Sequence, residues 1–417
     1  MSVIHAVAAM YQVADTRFGC PKPQTANTDT ISKTITVAEK SVVMVTGHQI
    51  VLDAGRTDVY LLKDSQKVDF TLTYTPSKQW EDAWLYWVGE VSAGTHKFSI
   101  QGNRANSLGC EGDWGDLDII VVPKLEGVAV YQTNDSNDGC PRILKSGAEF
   151  LNKTISVAKQ SVLVVTGHII RDYKGRTDLH LLVDGAEKDH GLAYTPSKQS
   201  TTQWKDGIVH WVGELKPGSH TFSMKGNVAN AYGCGADWGD LDILVLPKDS
   251  LGVAGYNFPD TREGCPPTQQ ANTDMIRGNF TVAETSIVTV TGHMIRSFAG
   301  RTDAYLYVDG VQRDLSLSYS NSRQWEDVQL HWVGKLAKGQ HTVSIRGDKA
   351  NAWGCGASWG DIDVVVVPVT VGRSADECQK NNGGCHPKRK CVNSAGSHQC
   401  ENCSAGYVND GAKDCKG

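Results

Sequence analysis

Apolar and polar positions alternate with a period of two along most of the chain. Val43, Val45 and Gly47 stand against Val42, Met44, Thr46 and His48, and Thr57, Val59 and Leu61 against Arg56, Asp58, Tyr60 and Leu62. Ala83, Leu85 and Trp87 alternate in the same way with Trp84, Tyr86 and Val88. This is the period of a strand, and turns such as VDG, SAG and KPG punctuate it at the spacing of antiparallel sandwiches and barrels. One segment departs from it: LDIIVVP, ending at Pro123, is apolar on both faces, as a strand buried on both sides is. No stretch carries a convincing helical period. The pattern predicts an all-β fold with about seven to nine strands per unit, arranged as a jelly-roll-like antiparallel β-sandwich.

The pattern recurs three times with the same ordered landmarks: GCP, TGH, GRTD, a Trp, WVG, GxH, a Gly-Cys pair and WGD[LI]D. The histidine of TGH is His48, His168 and His293, and the Trp of WVG is Trp87, Trp211 and Trp332. A unit of this length is long enough to bury a core of its own, so these are tandem domains and not short solenoid repeats. The boundaries read as 1–123, 124–247 and 248–368, followed by a linker at 369–375 and a different tail at 376–417. The joins KLEGVAVY and KDSLGVAGY are short, which favours a rigid rod or a packed cluster over flexible beads. The one internal change of length falls before Trp204, in SKQSTTQW, and marks a loop.

Composition narrows the class. The 417 residues carry 41 Lys and Arg against 46 Asp and Glu, a net charge of -5, with no basic footprint for nucleic acid. No apolar run approaches the ~18 residues of a spanning helix, and the low hydrophobicity with high charge of a disordered chain is absent. Twelve cysteines at regular spacing point to disulfides and an oxidising compartment. The start, MSVIHAVAAMYQ, lacks the features of a signal peptide and reads as a mature or truncated secreted chain. Sequons at Asn134, Asn152, Asn279 and Asn402 fit that setting. Within the repeats we expect Cys20–Cys110, Cys140–Cys234 and Cys265–Cys355. The alternative joins neighbours, as Cys110 with Cys140.

The tail, DECQKNNGGCHPKRKCVNSAGSHQCENCSAGYVNDGAKDC, packs six cysteines into about 40 residues. Their order, with NNGGC, the GS before Cys400 and CSAGY, resembles an EGF-like domain. The resemblance implies the pairs Cys378–Cys391, Cys385–Cys400 and Cys403–Cys415. Glu401 and Asn402 between the fourth and fifth cysteines are one residue more than is usual there. Calcium-binding members of that family would use positions matched here by Asp376, Glu377 and Asn393. Ser374 and His398 depart from their pattern, and the other reading is a disulfide-held spacer.

Two polar clusters recur in the repeats. One is TGH with GRTD, giving Arg56 and Asp58, Arg176 and Asp178, and Arg301 and Asp303. The other is the loop GNxANxxGC with WGD[LI]D. It holds Asn106, Asp113, Trp114 and Asp116 in the first repeat, Asn230, Asp237, Trp238 and Asp240 in the second, and Asn351, Trp359 and Asp361 in the third. An aromatic ring beside carboxylates, amides and a guanidinium suits a sugar: the ring covers the C–H face and the polar groups bond vicinal hydroxyls. Each Trp of the loop is expected beside the Arg/Asp pair of its own repeat. Calcium on Asp113, Asp116 and Asp118 is a second option, although no cofactor is required. Arg56 with Asp58 also fits a structural ion pair, and Asn106 a turn residue. His48 and its counterparts read as hydrogen-bonded structural histidines, as do His96, His220 and His341; Trp87, Trp211 and Trp332 read as packing.

There is no GxSxG, HExxH or phosphate loop, and triplication suits avidity more than catalysis, so the chain reads as a non-enzyme. The leading reading is a secreted, extracellular, multivalent carbohydrate-binding protein with one site per repeat, acting on glycans or glycoproteins. The alternative is a structural, protein-binding component of a matrix, surface appendage or adhesive filament.

Overall fold

The computed structural model describes residues 6–14, 25–109, 115–134, 145–172, 175–195, 204–229, 231–232, 239–262, 270–320, 323, 325–356, 359–371, 378, 381–394, 397–404, 406–410 and 414–416. The fold is all-β: three jelly-roll-like antiparallel sandwiches and a disulfide-rich tail. In the second repeat one sheet has the order Trp204–Leu215, Ser161–Asp172, Gly239–Pro247, Ala129–Asn134. The other runs Ala186–Thr195, Gly175–Val183, Gly218–Gly226, Glu149–Val157. The third repeat has the same two sheets. In the first, the strands Ser41–Lys63 and Gln66–Val91 run unbroken from one sheet into the other. A single helical turn, Lys248–Leu251, lies at the join between the second and third repeats.

Each sandwich has its own core; that of the second repeat gathers Leu163, Val165, Trp211, Phe222 and Ile243. The WVG motif is explained there. The Trp ring folds back over the glycine two residues on, and a Cβ at Gly89, Gly213 or Gly334 would fall 2.0, 1.9 or 1.8 Å from it. Trp87, Trp211 and Trp332 are accordingly packing residues, buried in their cores.

A fourth core belongs to no single repeat. Val42, Val88, Ile120 and Val122 of the first repeat meet Val162, Val164, Val212, Leu244 and Leu246 of the second and Ile287, Val333, Val365 and Val367 of the third. The three sandwiches therefore form a packed cluster around a common axis. This accounts for LDIIVVP: Ile119 and Val121 enter the sandwich core while Ile120 and Val122 enter the axial one. The ring is closed by the ends of the three-repeat body. Ala6 and Val7 pair with Val371 and Thr370, so the first residues of the expected linker are part of a two-stranded sheet.

The tail contains Cys378–Cys391, Cys385–Cys400 and Cys403–Cys415, the pairing that the sequence resemblance implies. Cys355 is disulfide-bonded, and no described cysteine is free. Cys20, Cys110, Cys140, Cys234 and Cys265 lie outside the described residues, as does the loop from Gln199 to Gln203. All four sequon asparagines are exposed. No described helix is long and apolar enough to cross a membrane.

His96, His220 and His341 staple turns, as expected. Their Nδ1 atoms lie 2.8, 2.7 and 2.8 Å from carboxylates of Asp64, Asp184 and Asp309, which occupy left-handed turn positions. The same carboxylates accept the N–H of Lys97, Thr221 and Thr342 at 2.9 Å. Burial pushes Asp64 up, but the bonds from His96 and Lys97 pull harder and hold it at about 2. The bond to Asp184 raises His220. A lowered carboxylate contributes stability that is lost as pH falls through its folded value, and a raised histidine contributes stability lost as pH rises past its own. The staples should therefore help most between the ordinary carboxylate and histidine values. Asp64→Ala, Asp184→Ala and Asp309→Ala should each cost about 1 kcal/mol at pH 5 and less at pH 2, measured by urea unfolding; equal costs at both pH values would refute the assignment.

Candidate functional site

The recurring histidine of TGH is the hub of a polar cluster at each junction between repeats. Antiparallel register sets His48 opposite Asp116, His168 opposite Asp240 and His293 opposite Asp361. Each His is joined by a carboxylate two residues after a recurring Trp, namely Asp82, Asp206 or Asp327. His48 Nε2 lies 3.0 Å from Asp82 Oδ1, His168 Nδ1 3.2 Å from Asp206 Oδ1, and His293 Nδ1 3.6 Å from Asp327 Oδ1. The fourth member comes from the neighbouring repeat: Asp314 for His48, Asp69 for His168 and Asp189 for His293. His168 Nε2 is 3.8 Å from Asp69, and His293 Nε2 is 3.2 Å from Asp189.

These carboxylates also stitch adjacent repeats together. Asp82 accepts the Leu317 N–H at 2.8 Å, and Thr71 donates to Asp206 at 2.7 Å. The Leu192 N–H donates to Asp327 at 2.5 Å. The last aspartate of WGDLD does the same: Asp242 accepts from the Val88 N–H at 3.1 Å, and Asp363 from the Val212 N–H at 3.0 Å. The direction is cyclic, with each repeat reaching into the one before it and the first into the third.

Burial alone would lower His48. Asp82, Asp116 and Asp314 outweigh it and raise the imidazole to about 9. His168 and His293 are held well above their usual range by the carboxylates around them. Burial raises Asp116 well above the carboxylate range, with Asp118 adding to it, and raises Asp69 to about 7 despite His168. Nearer the axis, burial lowers His210 to about 4 and His331 to about 3.

A cavity of about 100 Å³ on the axis is lined by all three repeats, with Glu81, Lys205 and Glu326 at equivalent positions. Lys205 Nζ lies 2.8 Å from Glu81 and 3.0 Å from Glu326. Arg296 lies 2.5 Å from Glu326.

Apart from Trp359, the described residues expected to bind a ligand divide into three groups. Asp116, Asp240 and Asp361 are in the junction clusters just described. Arg56, Arg176 and Arg301 are ion-paired with Asp58, Asp178 and Asp303, two residues on in the same strand, at 2.5, 2.5 and 2.6 Å. Asn106 and Asn351 occupy left-handed turn positions with φ of 56° and 54°, as turn residues do. Asp113, Trp114, Asn230, Asp237, Trp238, Asp376 and Glu377 lie outside the described residues, and the side chain of Asn393 is not described.

Trp359 corrects one expectation. It is half-buried and meets Trp325 edge-on at 4.6 Å between ring centroids. The guanidinium over its ring, 5.6 Å from the centroid, is that of Arg176 from the second repeat, in place of the expected Arg301 of its own repeat. The cause is the packing around the axis, which brings the WGD loop of one repeat to the GRTD strand of another. The sequence reading misses the junction role of His48, Asp69 and Asp82. The available signal is a lone acid recurring at the same place in three apolar strands.

No protein-family model matches the chain, and no curated protein does. Among solved structures the chain is similar to Eiger TNF from S. frugiperda, at 12% identity and a TM-score of 0.21 over 29% of this chain and 96% of that one. It is similar to PNGF-II, at 8% identity and a TM-score of 0.28 over 79% and 100%. A triple jelly roll protein of an archaeal virus follows, at 8% and 0.21 over 88% and 92%.

Proposed function

We propose that the chain is a secreted, multivalent binding and adhesion protein, and that it binds carbohydrate in the grooves between adjacent repeats. The observation that carries this reading is Trp359 of one repeat beneath Arg176 of another, with Asp178 fixed alongside by its ion pair. An indole face beside a guanidinium and a carboxylate offers a sugar both a C–H platform and paired hydrogen bonds. The disulfide-rich tail is taken as an EGF-like spacer beside this head.

A glycan array on the intact chain tests the reading. Trp359→Ala and Arg176→Ala should each weaken binding to a responsive glycan about tenfold, roughly 1.4 kcal/mol, with the fold unchanged by circular dichroism. An array without signal would abandon it. The second reading, a structural component of a matrix or filament, is favoured by one fact: Asp116, Asp240 and Asp361 are engaged between repeats. It expects concentration-dependent end-to-end association in light scattering.

A further inference from the structure

We propose that each of the three junctions binds a divalent transition-metal ion, Mn²⁺ or Zn²⁺, through its histidine and the aspartates gathered on it from two repeats. The donor set is the first reason. One imidazole nitrogen with carboxylate oxygens suits these ions, whereas an all-oxygen set would suit calcium. In each junction one atom from the histidine and one from each of two aspartates, one of them across the interface, lie within 4.8 Å of one another. Bonds of about 2.1 Å would need donors roughly 3–3.5 Å apart, so only a small closure of side chains is required.

Space is the second reason. Asp69, His168 and Asp240 line a cavity of about 10 Å³, the room of a single water or ion. His48, Asp116 and Asp314 line a larger one of about 110 Å³. The third reason is unmet bonding. His293 is 4% exposed, and its Nδ1 has no hydrogen-bond partner; it faces Asp327 Oδ1, which has none either, at 3.6 Å. Asp116 Oδ1 is likewise buried without one. Buried polar atoms left unpaired are costly, and two of the three junctions hold them.

Charge is the fourth. Among the described residues His48 is ion-paired to Asp82, His168 to Asp69, Asp206 and Asp240, and His293 to Asp189, Asp327 and Asp361, one histidine in each cluster. A protonated imidazole offsets one carboxylate, whereas a divalent ion offsets two and leaves the imidazole free to ligate. The proposal does not depend on the glycan reading, because metal uptake is measured with no glycan present.

The test uses the full chain, stripped with a chelator and dialysed against MnCl₂ or ZnCl₂, with CaCl₂ in parallel. We expect three bound equivalents, a raised thermal midpoint, and ¹⁴N coupling from imidazole in the pulsed EPR spectrum of the Mn²⁺ form. Asp240→Asn should remove one equivalent, and Asp116→Asn, Asp240→Asn and Asp361→Asn together all three. Less than one equivalent bound by the unaltered chain at about 1 mM metal would overturn the proposal without recourse to any variant. So would stoichiometry unchanged in the triple variant, or uptake of calcium alone with no ¹⁴N coupling. A single equivalent lost with His180→Gln would also overturn it, assigning binding to Asp178, His180 and His190 of the second repeat.

Discussion

The second repeat produced alone, residues 124–247, should not persist as a folded monomer. Val128, Val162, Val164, Val212, Leu244 and Leu246 are each no more than 3% exposed in the full chain, and the axial core that covers them is largely built by the other two repeats. Uncovering a side chain of this kind costs about 1.5–3 kcal/mol. Several together match or exceed the ~5–15 kcal/mol that holds an ordinary domain folded. The isolated repeat should therefore aggregate or associate with copies of itself, read by light scattering after size exclusion. The full chain should unfold in urea with the three repeats in one transition. A monodisperse monomer whose transition coincides with that of the full chain would show the axial core to be dispensable.

Lys205→Met should cost about 3–5 kcal/mol, because it removes the cation between two carboxylates and leaves one of them uncompensated in a largely buried site. Burial would lower Lys205, but Glu326 and Glu81 hold it charged and raised. Without it, Glu326 keeps Arg296 and the Ser318 hydroxyl, whereas Glu81, whose Oε2 already has no partner, keeps no comparable ion pair among the described residues. Adding Glu81→Gln to Lys205→Met should therefore recover much of the loss. Urea midpoints of the two variants decide it. A cost below about 1 kcal/mol for Lys205→Met would place the cluster with solvated surface pairs.

Strands and turns were legible because they are local: the alternation at Val42–His48 and turns such as VDG and KPG involve neighbours in sequence. The double-faced strand at 117–123 was legible as buried, but what buries its second face was not, because Ile120 and Val122 are covered from other repeats. The same limit governed the site. His48 and Asp116 are far apart in sequence and directly opposed in the sheet, and the Asp314 that completes their cluster comes from another sandwich. Asp116 consequently read as a surface ligand and His48 as a hydrogen-bonded structural histidine within its own repeat. Trp359 does lie beside an arginine, although the arginine belongs to a different repeat.

The joins between repeats are only a few residues long, and this changes how the head responds to dilution. Three separate subunits with the same contacts would be governed by mass action and would come apart as their concentration fell. Here each sandwich meets its neighbour at an effective concentration set by a short tether, of order millimolar even where such a tether is flexible. The assembly should thus persist unchanged in nanomolar solution, at dilutions where three separate subunits would come apart.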